Sequence, residues 1–234
     1  MALFPGPDSC VFYYKDWVCD GTTFLDSGPY GIHLTPVVFA APTWGIGVNG
    51  KGQRYLDFPG GGAYAIAPAA SAARFYAHAP TDALTFVAVL RYTPTVAGGR
   101  IFCSRNVAAT RGLHLIFATV DRVQARGYDA AGATWTCTDA LTSYFFQRTR
   151  VLVCAIDVRR QDFSIWLDGV NTITATQAAQ NAIAYDAAAP VLLGQNEGLA
   201  GNDLVAKVFH VGLWPYAFSR SEALYTTDYW RERV

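Results

Sequence analysis

The stretch VLVCAIDVRRQDFSIWLDGVNTIT, residues 151–174, decides the fold. Val151–Val158 is apolar except at Asp157, which suits a central strand covered on both faces. Phe163–Leu167 and Val170–Thr174 follow as two strand-like runs with only Asp168-Gly169 between them. A type I′ turn needs positive φ at both central residues, and Asp-Gly supplies them, so the spacing predicts a hairpin. A buried strand feeding a tight hairpin is antiparallel β-structure.

Outward from there the same signals recur at short intervals. Leu84–Tyr92 reads LTFVAVLRY, with Phe86, Ala88 and Leu90 on one side and Thr85, Val87, Val89 and Arg91 on the other. Arg100–Ser104, Leu113–Thr119, Val123–Tyr128, Trp135–Thr138, Val191–Leu193 and Lys207–Trp214 are further runs. Tyr55–Phe58 and Tyr64–Ile66 flank the turn Pro59-Gly60-Gly61-Gly62. Ser219 followed by Glu222 is a capping box that opens a short terminal helix through about Trp230. The Ala-rich segment Ala175–Ala189 reads as a loop with room for one helical turn. Residues 1–50, rich in Pro, Gly and aromatics, read as largely irregular chain packed on the rest. The expectation is an all-β, two-sheet antiparallel sandwich of about twelve strands with a short C-terminal helix. No repeat or linker divides it, so residues 1–234 are expected to form a single domain.

Composition narrows the function classes. The chain is 52% hydrophobic and only 15% charged, against about 25% charged in ordinary globular proteins. That shortage implies a large core, a surface covered by partners, or both. Eighteen basic residues balance eighteen acidic ones, which offers no overall basic field and argues against nucleic acid as a partner. Apolar runs such as Val151–Ile156 are strand-length and far too short to span a membrane. The opening MALFPGPDSC lacks the features of a signal peptide. Cys10, Cys19, Cys103, Cys137 and Cys154 are odd in number and lack CxxC spacing, so they are expected to be reduced, with folding in a cytoplasm. The last three fall in strand runs, where free cysteine packs as a small hydrophobe.

Several segments together resemble the laminin-G-like, concanavalin A-like jelly roll. They are Asp26-Ser27-Gly28, Tyr55-Leu56-Asp57-Phe58 with its glycine turn and Tyr64, and Leu84–Leu90. They continue with Ile165-Trp166-Leu167-Asp168-Gly169-Val170, Leu192-Leu193-Gly194-Gln195-Asn196, and Val208–Trp214 followed by Ala217-Phe218-Ser219 and Glu222. In that order they span about residues 24–230. The resemblance implies the jelly-roll sandwich and, through stand-alone domains similar to those of phages, a structural protein. It also implies a calcium option, with Asp26, Asn196, Asn202 and Asp203 as candidate ligands, although all four equally suit turns. Asp203-Leu204-Val205-Ala206-Lys207-Val208 departs from the family by lacking further carboxylates before the last strand.

Chemistry is harder to assemble. The glycosidases of this fold need two Glu on one strand, their carboxyls about 5 Å apart. The only glutamates here, Glu197, Glu222 and Glu232, share no predicted strand. Asp162 and Asp168 flank a strand but stand where turns favour Asp. His33, His78, His114 and His210 have no metal-ligand spacing, and His114 and His210 read as packed strand residues. No nucleophile elbow or phosphate loop occurs, and nothing requires a cofactor. Sugar stacking would use exposed aromatics; Trp44 and Trp135, beside turns, are the candidates, while Trp166 and Trp214 read as core. The sequence thus points to a non-enzymatic structural or binding module. A tailed-phage virion protein, in capsid decoration or associated with fibres, comes first. It would be made in the host cytoplasm, contact other virion proteins or glycans, and suit a homo-oligomer. Its aromatic N-terminus (Phe12, Tyr13, Tyr14, Trp17) would be a docking arm or would pack on its own sandwich. The alternative is a carbohydrate-binding lectin outside any virion, with or without calcium.

Overall fold

The computed structural model describes residues 6–39, 45–93, 99–105, 111–119, 122–139, 148–177, 181–195 and 203–234. Sixteen strands among them form two antiparallel sheets packed as a sandwich. The first sheet contains β1 (Phe12–Lys15), β3 (Ile46–Val48), β4 (Arg54–Pro59), β6 (Ala83–Tyr92) and β11 (Thr149–Asp157). It is completed by β12 (Asp162–Leu167), β13 (Val170–Asn171) and β16 (Val205–Trp214), in the order β13-β12-β11-β6-β16-β4-β3. β16 is long enough to pair with β4 over its first half and with β1 over its second. The second sheet contains β2 (Thr35–Val37), β5 (Tyr64–Ile66), β7 (Arg100–Cys103), β8 (Gly112–Thr119) and β9 (Arg122–Tyr128). With β10 (Thr134–Asp139), β14 (Ile173–Gln177) and β15 (Leu192–Leu193) its order is β14-β10-β9-β8-β7-β15-β5-β2.

Strand parity builds the core. Phe86, Ala88 and Leu90 of β6, Leu152, Cys154 and Ile156 of β11, and Leu115 and Phe117 of β8 all point between the sheets. Each large side chain fully buried there contributes about 1.5–3 kcal/mol. Val151, Val153 and Ala155 are also buried, but on the outer face, so β11 is covered on both sides as its unbroken apolar run requires. The outer cover is α2 (Arg220–Arg231), which lays Ala223 and Trp230 over Val87, Val89 and Trp214.

The Asp168-Gly169 hairpin forms as expected, with φ of 49° and 83°. Its return segment is not one strand, however. β13 ends at Asn171 in the first sheet, and β14 begins at Ile173 in the second. Thr172, buried between them, donates its N–H to the Ile165 carbonyl at 2.8 Å while the chain changes sheets. β14 then continues into residues 175–177, where a loop was expected.

Residues 1–50 are less irregular than their composition suggests, because β1, β2 and β3 lie among them. Phe12, Tyr13, Tyr14 and Trp17 are all at most 2% exposed, so they pack on their own sandwich and form no docking arm. A second helix, α1 (Ala69–His78), has no counterpart among the sequence signals. It starts at Pro68 without a side-chain cap and buries only Ser71 and Phe75, so neither a cap nor a wide apolar stripe announces it. Phe75 reaches into the interior, meeting Phe12 of one sheet and Phe102 of the other at ring separations of 6.3 and 5.8 Å.

Candidate functional site

α2 covers only part of the outer face of the first sheet. Beyond its end, register sets four polar residues side by side on neighbouring strands: Asp57 opposite Lys207, Lys207 opposite Arg91, and Arg91 opposite Thr149. They face outward because Leu56, Phe58, Leu90, Tyr92, Ala206 and Val208, their neighbours along the strands, face the core. A β-bulge at Val208/His210 then lets Phe209 and His210 both face outward in succession. Phe209 so becomes the floor beside the polar row, and His210 passes under α2.

Lys207, Arg91 and Thr149 of the row line a groove of about 370 Å³, together with Asn49, Lys51, Tyr55 and Phe209 among others. A second hollow of about 200 Å³, lined by Asp57, Thr93 and Val205, shares Arg91 and Lys207 with it. The larger falls within the size range of small-molecule sites. Tyr55 forms one wall, its ring 5.4 Å from that of Phe209. Lys207 Nζ stands 4.7 Å from the Tyr55 ring centroid and donates to Tyr55 Oη at 3.2 Å. Lys51 Nζ donates to the Val234 backbone oxygen at 2.8 Å. Among the described residues, neither the Arg91 guanidinium nor the Asp57 carboxylate has a hydrogen-bond or ion-pair partner. Two cations directly opposite one another, Lys207 and Arg91, repel. An acidic group in the groove would relieve that repulsion, while Thr149 in the groove and Asp57 in the adjoining hollow offer hydroxyl-binding oxygens; the Asn49 Oδ1 is already taken by the N–H of Lys51 and Gln53, each at 2.9 Å.

Of the residues singled out from sequence, Trp135, Asp26 and Asp203 lie elsewhere. Trp135 is fully buried and not at a rim. Although it adjoins a turn, parity turns Trp135, Cys137 and Asp139 inward, and Gly127 opposite leaves room for the indole, since a Cβ there would lie 2.4 Å from it. Trp44 lies outside the described residues, as do Asn196 and Asn202. Asp26 is buried, its Oδ1 accepting from the N–H of Tyr13 and Gly28 and its Oδ2 from Ile32, at 2.7–2.8 Å. Burial outweighs those hydrogen bonds and pushes its carboxyl above the usual range. Asp203 accepts from the Gly62 N–H at 2.8 Å and from Gln195 Nε2 at 3.2 Å. Both carboxylates therefore tie loops together, and among the described residues no cluster of three His, Cys, Asp or Glu is arranged to hold a metal ion.

The remaining expectations about single residues resolve by burial. Asp168 occupies the turn at a φ of 49°, and its carboxylate accepts from the Val151 N–H and pairs with Arg150 on the neighbouring strand. His114 and His210 are packed strand residues, and Trp166 and Trp214 are core. Cys137 and Cys154 belong to the interior, where burial pushes the Cys137 thiol up to about 12.

The sandwich has counterparts among solved structures. It shares its architecture with half of a toxin binding domain. The binding domain of Paraclostridial Mosquitocidal Protein 1 superposes over 96% of this chain and 53% of its own, with a TM-score of 0.67 at 12% identity. The botulinum neurotoxin serotype G binding domain gives 0.64 at 12% identity, over 95% of this chain and 51% of that one. The serotype D ligand binding domain in complex with N-acetylneuraminic acid gives 0.61 at 10% identity, over 95% and 52%. At such identities the likeness is one of fold, and the chain spans about half the length of these domains. No protein-family model and no curated protein matches the sequence.

The groove residues escaped the sequence reading for a definite reason. Alternation showed that Arg91 points away from Phe86, Ala88 and Leu90. Nothing in the sequence showed that β16 would lie beside β6, or in which register, so Arg91, Lys207, Asp57 and Thr149 could not be brought together.

Proposed function

We propose that this protein is a non-enzymatic binding module whose groove takes an acidic carbohydrate. The observation that carries the reading is the in-register row Asp57–Lys207–Arg91–Thr149 beside the Tyr55 ring. Arg91 and Lys207 would hold the carboxylate, Arg91 by its planar fork and Lys207 as a point charge. Thr149 in the groove and Asp57 in the adjoining hollow would bind ring hydroxyls, while Tyr55, whose ring lies under the Lys207 ammonium, would serve as a wall. Support comes from the compared structures, which are binding domains, one of them carrying N-acetylneuraminic acid. A place in a virion has no comparable observation in its favour.

The test is an array of sialylated, uronate-containing and neutral glycans, probed with and without a chelator. Acidic glycans are expected to be retained, and Arg91→Ala and Lys207→Gln should each weaken retention roughly tenfold with folding unchanged. Binding lost on chelation would bring calcium into the same reading. Absence of retention, or retention equal in both variants and the parent, would sink it.

A further inference from the structure

The opposite outer face, on the second sheet, carries a different feature. The chain is neutral as a whole, yet between residues 100 and 128 it has five arginines, Arg100, Arg105, Arg111, Arg122 and Arg126, against the single acid Asp121. Overall neutrality therefore does not extend to this segment. Three of these arginines gather around one histidine. His114 on β8 pairs directly with Arg126 on β9, and Arg100 enters from β7 beside Ile116. Arg105 follows β7, its guanidinium 4.7 Å from the centroid of the Tyr128 ring. It reaches that place because Gly112, the register partner of Tyr128, has no side chain. A Cβ on Gly112 would come within 2.1 Å of the Ser104 carbonyl and 2.9 Å of the Arg105 Cα, and its φ of +108° also demands glycine.

Its centre is polar and buried, and among the described residues His114, Arg105 and Arg126 have donor atoms without acceptors. His114 is 1% exposed, and neither of its ring nitrogens has a partner among the described residues. The Nε atoms of Arg105 and Arg126 are likewise buried without a partner there, although both side chains are half-exposed overall. Arg126 donates to Gln124 Oε1 at 2.8 Å, and Gln124 Nε2 donates to Thr138 Oγ1 at 3.0 Å, which aligns the guanidinium. Burial is the first cause holding the imidazole neutral, and the charges of Arg100, Arg105 and Arg126 add to it. Leaving several buried donors unsatisfied costs about 1–3 kcal/mol each, and crowding like charges costs more. An arrangement of this kind is stabilised by an anion that accepts from all of them.

We propose that this cluster is a binding site for an oxyanion group, with Arg105 and Arg126 at its mouth and His114 at its floor. Guanidinium forks suit the paired oxygens of sulfate, phosphate and carboxylate alike, so the ligand class is an oxyanion carried on a larger molecule. The site is separate from the groove on the first sheet, and the inference does not rest on the carbohydrate reading.

The experiment is NMR of the histidine side chains during titration with sodium sulfate, sodium phosphate or sodium acetate, against chloride at equal ionic strength. The His114 ring resonances are expected to move saturably with at least one of the three salts and not with chloride. Arg126→Gln and Arg105→Gln should each weaken that response roughly tenfold. A response to sulfate and phosphate alone would identify a tetrahedral group, and one to acetate a carboxylate. If His114 responds to none of the salts beyond chloride, or responds equally in both folded variants, the site does not exist. Because the two arginines stand on different segments, one variant suffices should the other fail to fold.

Discussion

His210 shows what burial does to a single residue. The bulge in β16 turns it outward beneath α2, where its ring stacks on Trp230 at 4.5 Å and lies 4.5 Å from that of Tyr13. Nδ1 lies 3.0 Å from the Tyr14 carbonyl, a geometry that places the proton on that nitrogen. Burial pushes the imidazole down to about 3, the Tyr14 hydrogen bond opposes this, and Lys15 adds to it. In the unfolded chain the same group titrates near 6.5. Between those values the unfolded state binds the extra proton, so stability is full above about 6.5 and declines as pH falls, by up to about 1.4 kcal/mol per pH unit. His114, also held neutral by burial, acts with the same sign. Urea midpoints measured from neutral to acid pH should fall less steeply in His210→Gln than in the parent, the remaining slope coming partly from His114. Equal slopes would mean that His210 is not buried neutral as described.

At the level of elements, α2 is specified twice, by its start and by its buried face. Ser219 accepts from the Glu222 N–H, while the Glu222 carboxylate accepts from the Ser219 N–H at 2.7 Å, completing the capping box. Ser219→Ala should lower stability by about 1 kcal/mol, whereas Trp230→Ala, which uncovers Val87, Val89 and Trp214, should cost about 3–5 kcal/mol. Denaturant unfolding of both variants checks the ranking, and a larger loss for Ser219→Ala would contradict the packing described. Elements with such doubled signals were legible in the sequence: α2, the Asp168-Gly169 hairpin, and the doubly covered β11. Elements held by tertiary contact alone were not. α1 has no side-chain cap and a narrow buried face, and the change of sheet at Thr172 follows from packing, which no local signal encodes. The groove belongs to this second kind, since its residues meet only through the pairing of β4, β16, β6 and β11. Trp135 adjoins a turn, but strand parity decides its side and turns the indole into the core.

Over the whole molecule, neutrality conceals a division of labour between faces. The interior is filled by apolar side chains from both sheets, leaving each outer face to develop its own polar chemistry. On the first sheet α2 seals one part and the Arg91–Lys207 row occupies the next; on the second the arginines surround His114. Sheets in a sandwich stack about 10 Å apart, so groups on opposite outer faces are separated by two sheets and a close-packed core. Substitutions that far apart, with no shared partner, usually add within about 0.5 kcal/mol. The double variant Arg91→Ala with Arg126→Gln should therefore change stability by the sum of its single changes. Its response to oxyanion salts should match Arg126→Gln alone, and its glycan retention should match Arg91→Ala alone. Thermal and urea unfolding of the four proteins, with the two binding assays, closes the cycle. Coupling well above that margin would mean that the faces communicate through the core, and the groove and the arginine cluster would have to be treated as one linked system.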